Sequence, residues 1–128
     1  MKIISTAAII LLACTASAAH AQNFSLRKGE SADLGAFYWI SNCVSVLKDF
    51  AGVDLVEGPP GIELTLRPEP VTATRQNCAA PVPGGTVVLT VKEVPAKFEG
   101  PLRYRVRYNL QDGGTRQTNH STVILLLP

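Results

Sequence analysis

The chain has 128 residues, of which 46% are hydrophobic and 17% are charged, and its formal net charge is +2. This length favours one domain around one core. The nearly neutral charge argues against nucleic acid as a partner, because nucleic-acid binding needs a strongly basic surface.

The first residues have the pattern of a secretory signal peptide. Lys2 precedes an apolar run over 3–13, and the segment ends in small residues with an Ala-x-Ala exit, which is the pattern that signal peptidase recognises. We therefore expect residues 1–21 to be removed, with cleavage after Ala18 as an alternative. Residues 22–128 then form one domain in the periplasm or outside the cell. The apolar run is too short for a transmembrane helix, and we expect no such segment.

The cysteines indicate a disulfide. Cys14 lies in the leader, where Leu11–Cys14 loosely resembles a lipobox, so a lipoprotein anchored at Cys14 is an alternative. Cys43 and Cys78 remain, and in an oxidising compartment they should pair. Such a bridge contributes roughly 4 kcal/mol in the chain-entropy model. In residues 22–128 these two cysteines and one histidine, His120, are too few and too far apart in the sequence for the three or four ligands that zinc requires, and we expect neither a metal nor a cofactor.

Alternating side chains predict a series of strands. Asn23–Lys28 can form an edge strand, and Leu34–Cys43 is apolar on both faces, as in a central strand. Ile62–Arg67 and Thr86–Val91 alternate between apolar and polar residues, which is typical of half-buried strands. Ser45–Ala51 is the one helical candidate.

The clearest alternation covers Leu102–Leu110. Gln111–Gly114 follows, with an Asp-Gly pair suited to a tight hairpin turn. The chain should return as an antiparallel strand over 116–127. Pro68 and Pro70 should end the strand that contains Ile62–Arg67, because proline donates no ladder hydrogen bond.

Short strands separated by proline and glycine turns predict an all-β fold. We expect an immunoglobulin-like two-sheet antiparallel sandwich of about seven strands with at most one short helical turn. Cys78 lies in a polar loop, so the bridge should tie that loop to the end of the strand that carries Trp39, and not join the two sheets.

Five segments together resemble small exported bacterial immunoglobulin-like β-sandwich proteins of unassigned function. They are Trp39–Cys43, Gly58–Gly61, Gln76–Cys78, Pro81–Gly85 and Tyr104–Tyr108. The resemblance covers most of residues 22–128 and implies a sandwich fold and bacterial export. It brings no catalytic residue with it.

Arg103, Arg105 and Arg107 are the first candidate binding residues. Their spacing places all three on one face of a strand, about 7 Å apart. This row either binds an anionic glycan or an acidic protein surface, or is a solvated face paired across the sheet. Trp39 is the second candidate, because it is either a core residue or an exposed aromatic that can hold a sugar ring or a partner protein.

The chemistry of the chain favours binding over catalysis. His120 lies at the polar start of the last strand, where we expect it to be exposed, and we assign no catalytic residue. The predicted function is a noncatalytic secreted or periplasmic binding module for a protein or a polyanionic glycan, and we expect a monomer. A structural subunit acting by strand pairing is the alternative, and a small hydrolase that uses Asp54 and Glu57 is the least favoured.

Overall fold

The computed structural model describes residues 23–128, apart from the side chain of Arg75. The signal peptide expected at 1–21, and Cys14 within it, lie outside the described residues. Nine strands are present in the described part: β1 (Asn23–Arg27), β2 (Ser31–Phe37), β3 (Ile40–Ser41), β4 (Val44–Ser45), β5 (Leu47–Glu57), β6 (Ile62–Val71), β7 (Val82–Val91), β8 (Phe98–Leu110) and β9 (Thr115–Leu127). A 3-10 turn covers Thr74–Gln76. The prediction of an all-β chain is confirmed.

The strands form two larger sheets and a small ribbon. One sheet has the order β1-β9-β8-β5, the other has the order β2-β7-β6, and β3 pairs with β4. All neighbours are antiparallel except β1 and β9, which are parallel. The expectation of purely antiparallel pairing is wrong for this pair. Two parallel strands need a long connection between them. Here all the strands from β2 to β8 lie in the chain between β1 and β9.

The core lies between the two larger sheets. One cluster joins buried side chains from both of them: Leu26, Leu47, Val87, Leu89, Val91, Leu102, Tyr104, Val106, Tyr108, Leu110, Ile124 and Leu126. The alternation read from Leu102–Leu110 is confirmed, because its apolar residues are buried and its arginines lie on the outer face.

The predicted hairpin between β8 and β9 is also confirmed. The Gly114 amide donates to Oδ1 of Asp112 at 2.7 Å, and the Leu110 amide donates to the Gly114 carbonyl at 2.9 Å. Gly113 has a φ of +88°, which glycine adopts without the steric cost that a side chain would add. The turn therefore fixes the register of β8 against β9.

The helix expected at Ser45–Ala51 is wrong, because these residues run through β4 into β5. Three register shifts interrupt the pairing of β5 with β8. Each shift moves the following residues relative to the partner strand, so the apolar residues Leu47, Phe50 and Val53 face the core at a spacing of three. That spacing resembles a helix in the sequence, although the backbone is extended.

Other strand boundaries also differ from expectation. The count is nine and not about seven, and β3 and β4 are two-residue strands joined by a turn at Asn42 and Cys43, both with positive φ. Leu34–Cys43 was expected to form one central strand, but only its first residues belong to a strand of a larger sheet. That strand is β2, which ends at Phe37 and lies at the edge of its sheet. β6 continues through Pro68 and Pro70, which an edge strand tolerates because proline lacks an N–H only on one side.

Candidate functional site

The three arginines of β8 are paired with residues on both neighbouring strands. Arg107 forms a bidentate contact with Asp54, and Nε of Arg103 lies 3.3 Å from Oε1 of Glu57. Nε of Arg105 donates to Oδ1 of Asn119 at 3.3 Å. Among residues 23–128, Arg105 is thus the member of the row without a carboxylate within ion-pair distance. In this row, Arg103 and Arg107 are each paired with a carboxylate, whereas Arg105 is paired with an amide.

A shallow groove lies beside Arg105 on this outer face. It has a volume of about 450 Å³ and is lined by Val56, Arg103, Tyr104, Arg105, Asn119, His120 and Ser121. Two of the three predicted arginines therefore line one groove, together with amide and hydroxyl groups from β9. This combination suits a carboxylate, which accepts hydrogen bonds from guanidinium and amide donors.

Trp39 lies between β2 and β3 and is half-buried. Its ring lies 5.1 Å from the ring of Tyr108 at an angle of 59°, and its carbonyl accepts a hydrogen bond from the Val46 amide at 3.0 Å. One side of the indole is therefore held against the core. Trp39 packs on the core and also lines a cleft.

The cleft beside Trp39 has a volume of about 630 Å³. Its lining combines aromatic rings with hydroxyl, amide and imidazole groups: Ala36, Phe37, Tyr38, Trp39, Ile40, Gln76, Tyr108, Thr118, Asn119 and His120. Thr118 Oγ1 lies 2.8 Å from the Tyr108 hydroxyl and 2.7 Å from Nε2 of His120. A hydrogen-bonded row of three side chains therefore runs along the β8–β9 side of the cleft.

His120 is not exposed as expected. It is half-buried on the inner face of the sheet, with its ring 4.6 Å from that of Phe37 and 5.3 Å from that of Tyr104. The sequence contained a signal for this placement. Alternate residues of a strand share a face, and counting back by two from the buried Leu126 and Ile124 reaches His120.

Burial also affects Tyr104, which lies beside His120. Loss of hydration on burial, and then the nearby Tyr108, raise the pKa of Tyr104 to about 12. The phenol is therefore protonated throughout the ordinary pH range.

The Cys43–Cys78 disulfide expected from the sequence is present, with a Cα–Cα distance of 5.5 Å. It joins the turn between β3 and β4 to the segment that follows the 3-10 turn. Gln76, which lines the cleft, lies in that 3-10 turn. The pairing of the two cysteines is confirmed, but Cys43 lies in a turn between two short strands and not at the end of a strand that carries Trp39. The disulfide therefore ties together two loops at this end of the molecule and restrains the rim of the cleft.

The first part of β9 separates the cleft from the groove. β1 pairs only with Val123–Leu127, so within the described chain residues 115–122 have β8 on one side and no strand on the other. Asn119 and His120 line both the cleft and the groove. The cleft of Trp39 and the groove of Arg105 thus lie on opposite faces of β9. The sequence did not predict that these two residues are close to the same strand.

Neither a transmembrane helix nor a clustered metal site is found in the described part of the chain. No helix over residues 23–128 is long and apolar enough to span a membrane. Within the same residues, no three His, Cys, Asp or Glu side chains lie together in a way that would hold a metal ion. Comparison with known proteins finds no match to a family model, to a curated protein or to a solved structure.

Proposed function

We propose that the protein is an exported, noncatalytic binding module that takes a side chain of a partner protein into the cleft beside Trp39. The cleft carries this proposal. Its aromatic rings offer apolar contact area at low entropic cost, and its hydroxyl and amide groups offer directional hydrogen bonds. Protein recognition sites commonly combine these two features.

The pairing of the arginines favours a protein over a polyanionic glycan. A polyanion laid along the row would compete with Asp54 for Arg107 and with Glu57 for Arg103. Arg105 alone meets an incoming carboxylate without that competition. An anionic glycan at the groove beside Arg105 is the second candidate, and the experiment below separates the two.

The contacts of His120 support a role in shaping the cleft. Its Nε2 lies 2.7 Å from the Thr118 hydroxyl, which also contacts the hydroxyl of Tyr108. Its ring is packed against Phe37 and Tyr104. These contacts hold the imidazole in the wall of the cleft, where it contributes shape and a polar edge.

We also propose that the architecture is immunoglobulin-like. Without the two-residue strands β3 and β4, seven strands remain in the described chain: β1, β2, β5, β6, β7, β8 and β9. The second, fourth and fifth of these (β2, β6 and β7) form one sheet, and the third, sixth and seventh (β5, β8 and β9) belong to the other. Immunoglobulin domains place their strands in the same two groups. The first strand differs, because β1 pairs with β9 and not with β2.

The disulfide supports the proposed location, since such bridges persist in oxidising compartments. We therefore assign the mature protein to the periplasm or the cell exterior, and we expect a monomer. A lipid anchor at Cys14 is the alternative form of the same exported protein.

The test is capture from the native envelope and medium with the purified exported protein and its cleft variants. Trp39→Ala removes the indole from the aromatic lining, and Gln76→Ala removes an exposed amide at the rim with little effect on the core. Thr65→Ala, on the outer face of the other sheet, is the control. Circular dichroism and thermal unfolding establish that each variant is folded.

We expect a partner protein that wild type and Thr65→Ala retain equally and that both cleft variants bind at least tenfold more weakly. Equal retention by wild type, Trp39→Ala and Gln76→Ala would overturn the proposal. An anionic glycan array run in parallel tests the second candidate. Binding there that Arg105→Ser abolishes and Trp39→Ala leaves unchanged would replace the first proposal with the second.

A further inference from the structure

A second cleft lies on the flank of the molecule where the two larger sheets are not joined. β5 is an edge strand of one sheet and β6 is an edge strand of the other, and over residues 23–128 these two strands do not pair with each other. The cleft between them, called the flank cleft below, has a volume of about 570 Å³, which is typical of small-molecule sites. It shares no lining residue with the cleft beside Trp39.

The walls of the flank cleft are mainly apolar. Three of the apolar side chains are prolines, and proline has a fixed backbone dihedral and no rotamer freedom to lose when a ligand binds. This part of the wall is therefore formed before binding. The apolar side chains come from β5, β6 and β7: Leu47, Phe50, Leu66, Pro68, Pro70 and Pro83.

Phe50 supplies the aromatic part of this wall. It is half-buried, and its ring lies 5.5 Å from the ring of Tyr108. It also lies close to Gly85, where a Cβ would come within 2.7 Å of Cε2 of the ring. The ring is therefore fixed by Tyr108 and by its close approach to the backbone of β7, and it lines the flank cleft.

Two of the three charged residues that line the flank cleft are already held by other side chains. Glu69 accepts two hydrogen bonds from Arg67, at 3.0 and 3.3 Å. Asp49 accepts a hydrogen bond from Nδ2 of Asn109 at 2.8 Å. Alternation along β6 and β8 places Arg67 and Asn109 on the outer faces of the two sheets. Both carboxylates are therefore held at the rims of the cleft.

Lys48 is the third charged residue of the lining, and it differs from the two carboxylates. It is exposed, and in the part of the chain that the structure describes its ammonium group has no hydrogen-bond or ion-pair partner. An ammonium group beside an apolar cleft complements a carboxylate that is attached to an apolar body. A ligand with a cationic head would instead meet a group of its own charge.

We propose that the flank cleft binds a small apolar carboxylic acid in its ionised form. The acyl chain or ring of the ligand lies between β5 and β6 against Phe50 and the prolines, and its carboxylate contacts Lys48. This site is additional to the proposed function and does not depend on it, because the two clefts have separate linings.

A membrane is a less suitable source of the same chemistry. The flank cleft lies between two sheets, and the carboxylates of Asp49 and Glu69 lie at its rims. An anionic lipid surface would bring many negative charges against these carboxylates, whereas a small acid places its one carboxylate at Lys48. We therefore assign the site to a free acid.

The probes are hexanoate, octanoate and decanoate, and octylamine and octanol are the matched ligands with a cationic and a neutral head. Binding to the purified exported protein is measured by isothermal titration calorimetry and by NMR amide shifts. Lys48→Gln tests the ammonium group. Lys97→Gln is its matched control, because Lys97 is also exposed and without an ion pair in the described residues, and it lies outside the flank cleft. Both variants have the same net charge, and circular dichroism establishes that they are folded.

We expect saturable binding of octanoate, with an affinity that rises about fourfold for each added CH₂ group until the cleft is full. Octylamine should bind at least about tenfold more weakly than octanoate. Lys48→Gln should weaken octanoate about threefold, as expected for a partly screened ion pair, and leave octanol unchanged. Lys97→Gln should change neither. Amide shifts should concentrate in residues 47–52, 66–70 and 83–84.

Three results would overturn this assignment. They are absence of saturable octanoate binding up to about 10 mM, octylamine binding as tight as that of octanoate, and equal effects of Lys48→Gln and Lys97→Gln. Sedimentation with phosphatidylglycerol vesicles, in a protein that does not bind octanoate, would replace the free acid with a membrane. Trp39→Ala should bind octanoate as wild type does, so failure of the proposed function and failure of this site are distinguishable.

Discussion

Arg107 donates two hydrogen bonds to Asp54, from Nε to Oδ2 at 2.8 Å and from Nη2 to Oδ1 at 3.1 Å. The two residues are not opposite each other, because Asp54 pairs with Arg105 and Gly52 pairs with Arg107. The guanidinium therefore reaches diagonally across the sheet. A bidentate contact of this kind fixes both side chains, and it turns the carboxylate away from Arg105.

A double-mutant cycle with Asp54→Asn and Arg107→Lys measures this contact. Both side chains are about 40% exposed, so solvent screens the pair. We expect a coupling free energy of about 0.5 to 1 kcal/mol in urea unfolding. The contact of Arg103 with Glu57, which is longer and more exposed, is the control and should couple more weakly. Equal couplings would contradict the role of the bidentate geometry.

Gly52 makes the diagonal contact possible. Its φ is +148°, and a Cβ at this position would lie 2.5 Å from Nη2 of Arg107. Gly52→Ala should destabilise the fold by about 1 to 2 kcal/mol, mainly through backbone strain and in part because the Arg107 guanidinium must move away from Asp54. Gly113→Ala, where φ is positive and space is open, reports strain alone. In an Arg107→Ala background, Gly52→Ala should lower the free energy of unfolding by less than it does in wild type. An equal loss in both backgrounds would mean that backbone strain explains the whole effect.

β8, whose pairing with β9 is uninterrupted, was predictable from the sequence, whereas β5, whose pairing with β8 is interrupted, was not. The alternation over Leu102–Leu110 identified β8 and its outward arginines because β8 pairs with β9 without a shift. In β5, register shifts place Leu47, Phe50 and Val53 at a spacing of three on the inner side. Local periodicity cannot distinguish that pattern from a helical turn, since the shifts depend on the partner strand.

The candidate site was predictable only in part. The arginine row and Trp39 were identified as separate features, and the bridge of Cys43 to Cys78 was expected from cysteine count. Their arrangement around β9 depends on how far β1 extends along it, which is a tertiary property. The inward position of His120 did follow from alternation, but its polar neighbours suggested an exposed segment.

Removal of the disulfide should weaken the fold and the cleft together. Replacing Cys43 and Cys78 by Ser should lower the free energy of unfolding by about 2 to 4 kcal/mol, since the unfolded chain regains the entropy that the closed loop had removed. Urea unfolding with and without a reductant measures this. Reductant should destabilise wild type and leave the double variant unchanged. A wild type that is insensitive to complete reduction would contradict the expectation.

Glu69 should contribute to acid sensitivity. Its hydrogen bond from Arg67, and then that from Thr86, lower the pKa of Glu69 below 4.5. Because the folded pKa is depressed, the stabilisation is present above the unfolded value and is lost as the pH falls through the folded one. Between pH 7 and 3, wild type should therefore lose more thermal stability than Glu69→Gln. Parallel melting curves for the two proteins would contradict this.

Tyr104 should limit stability at alkaline pH. Burial, followed by the nearby Tyr108, raises the pKa of Tyr104 from 10.0 to about 12. Between these values the unfolded chain releases the phenolic proton and the folded chain retains it, so the stabilisation is complete below pH 10 and is lost as the pH rises towards 12. At pH 11 this amounts to about 1 kcal/mol. Tyr104→Phe removes the titrating group, so its stability should fall less than that of wild type between pH 8 and 11 in urea unfolding. An equal fall in both proteins, or tyrosinate absorbance that develops in one step near pH 10 in the folded protein, would show that Tyr104 ionises without unfolding.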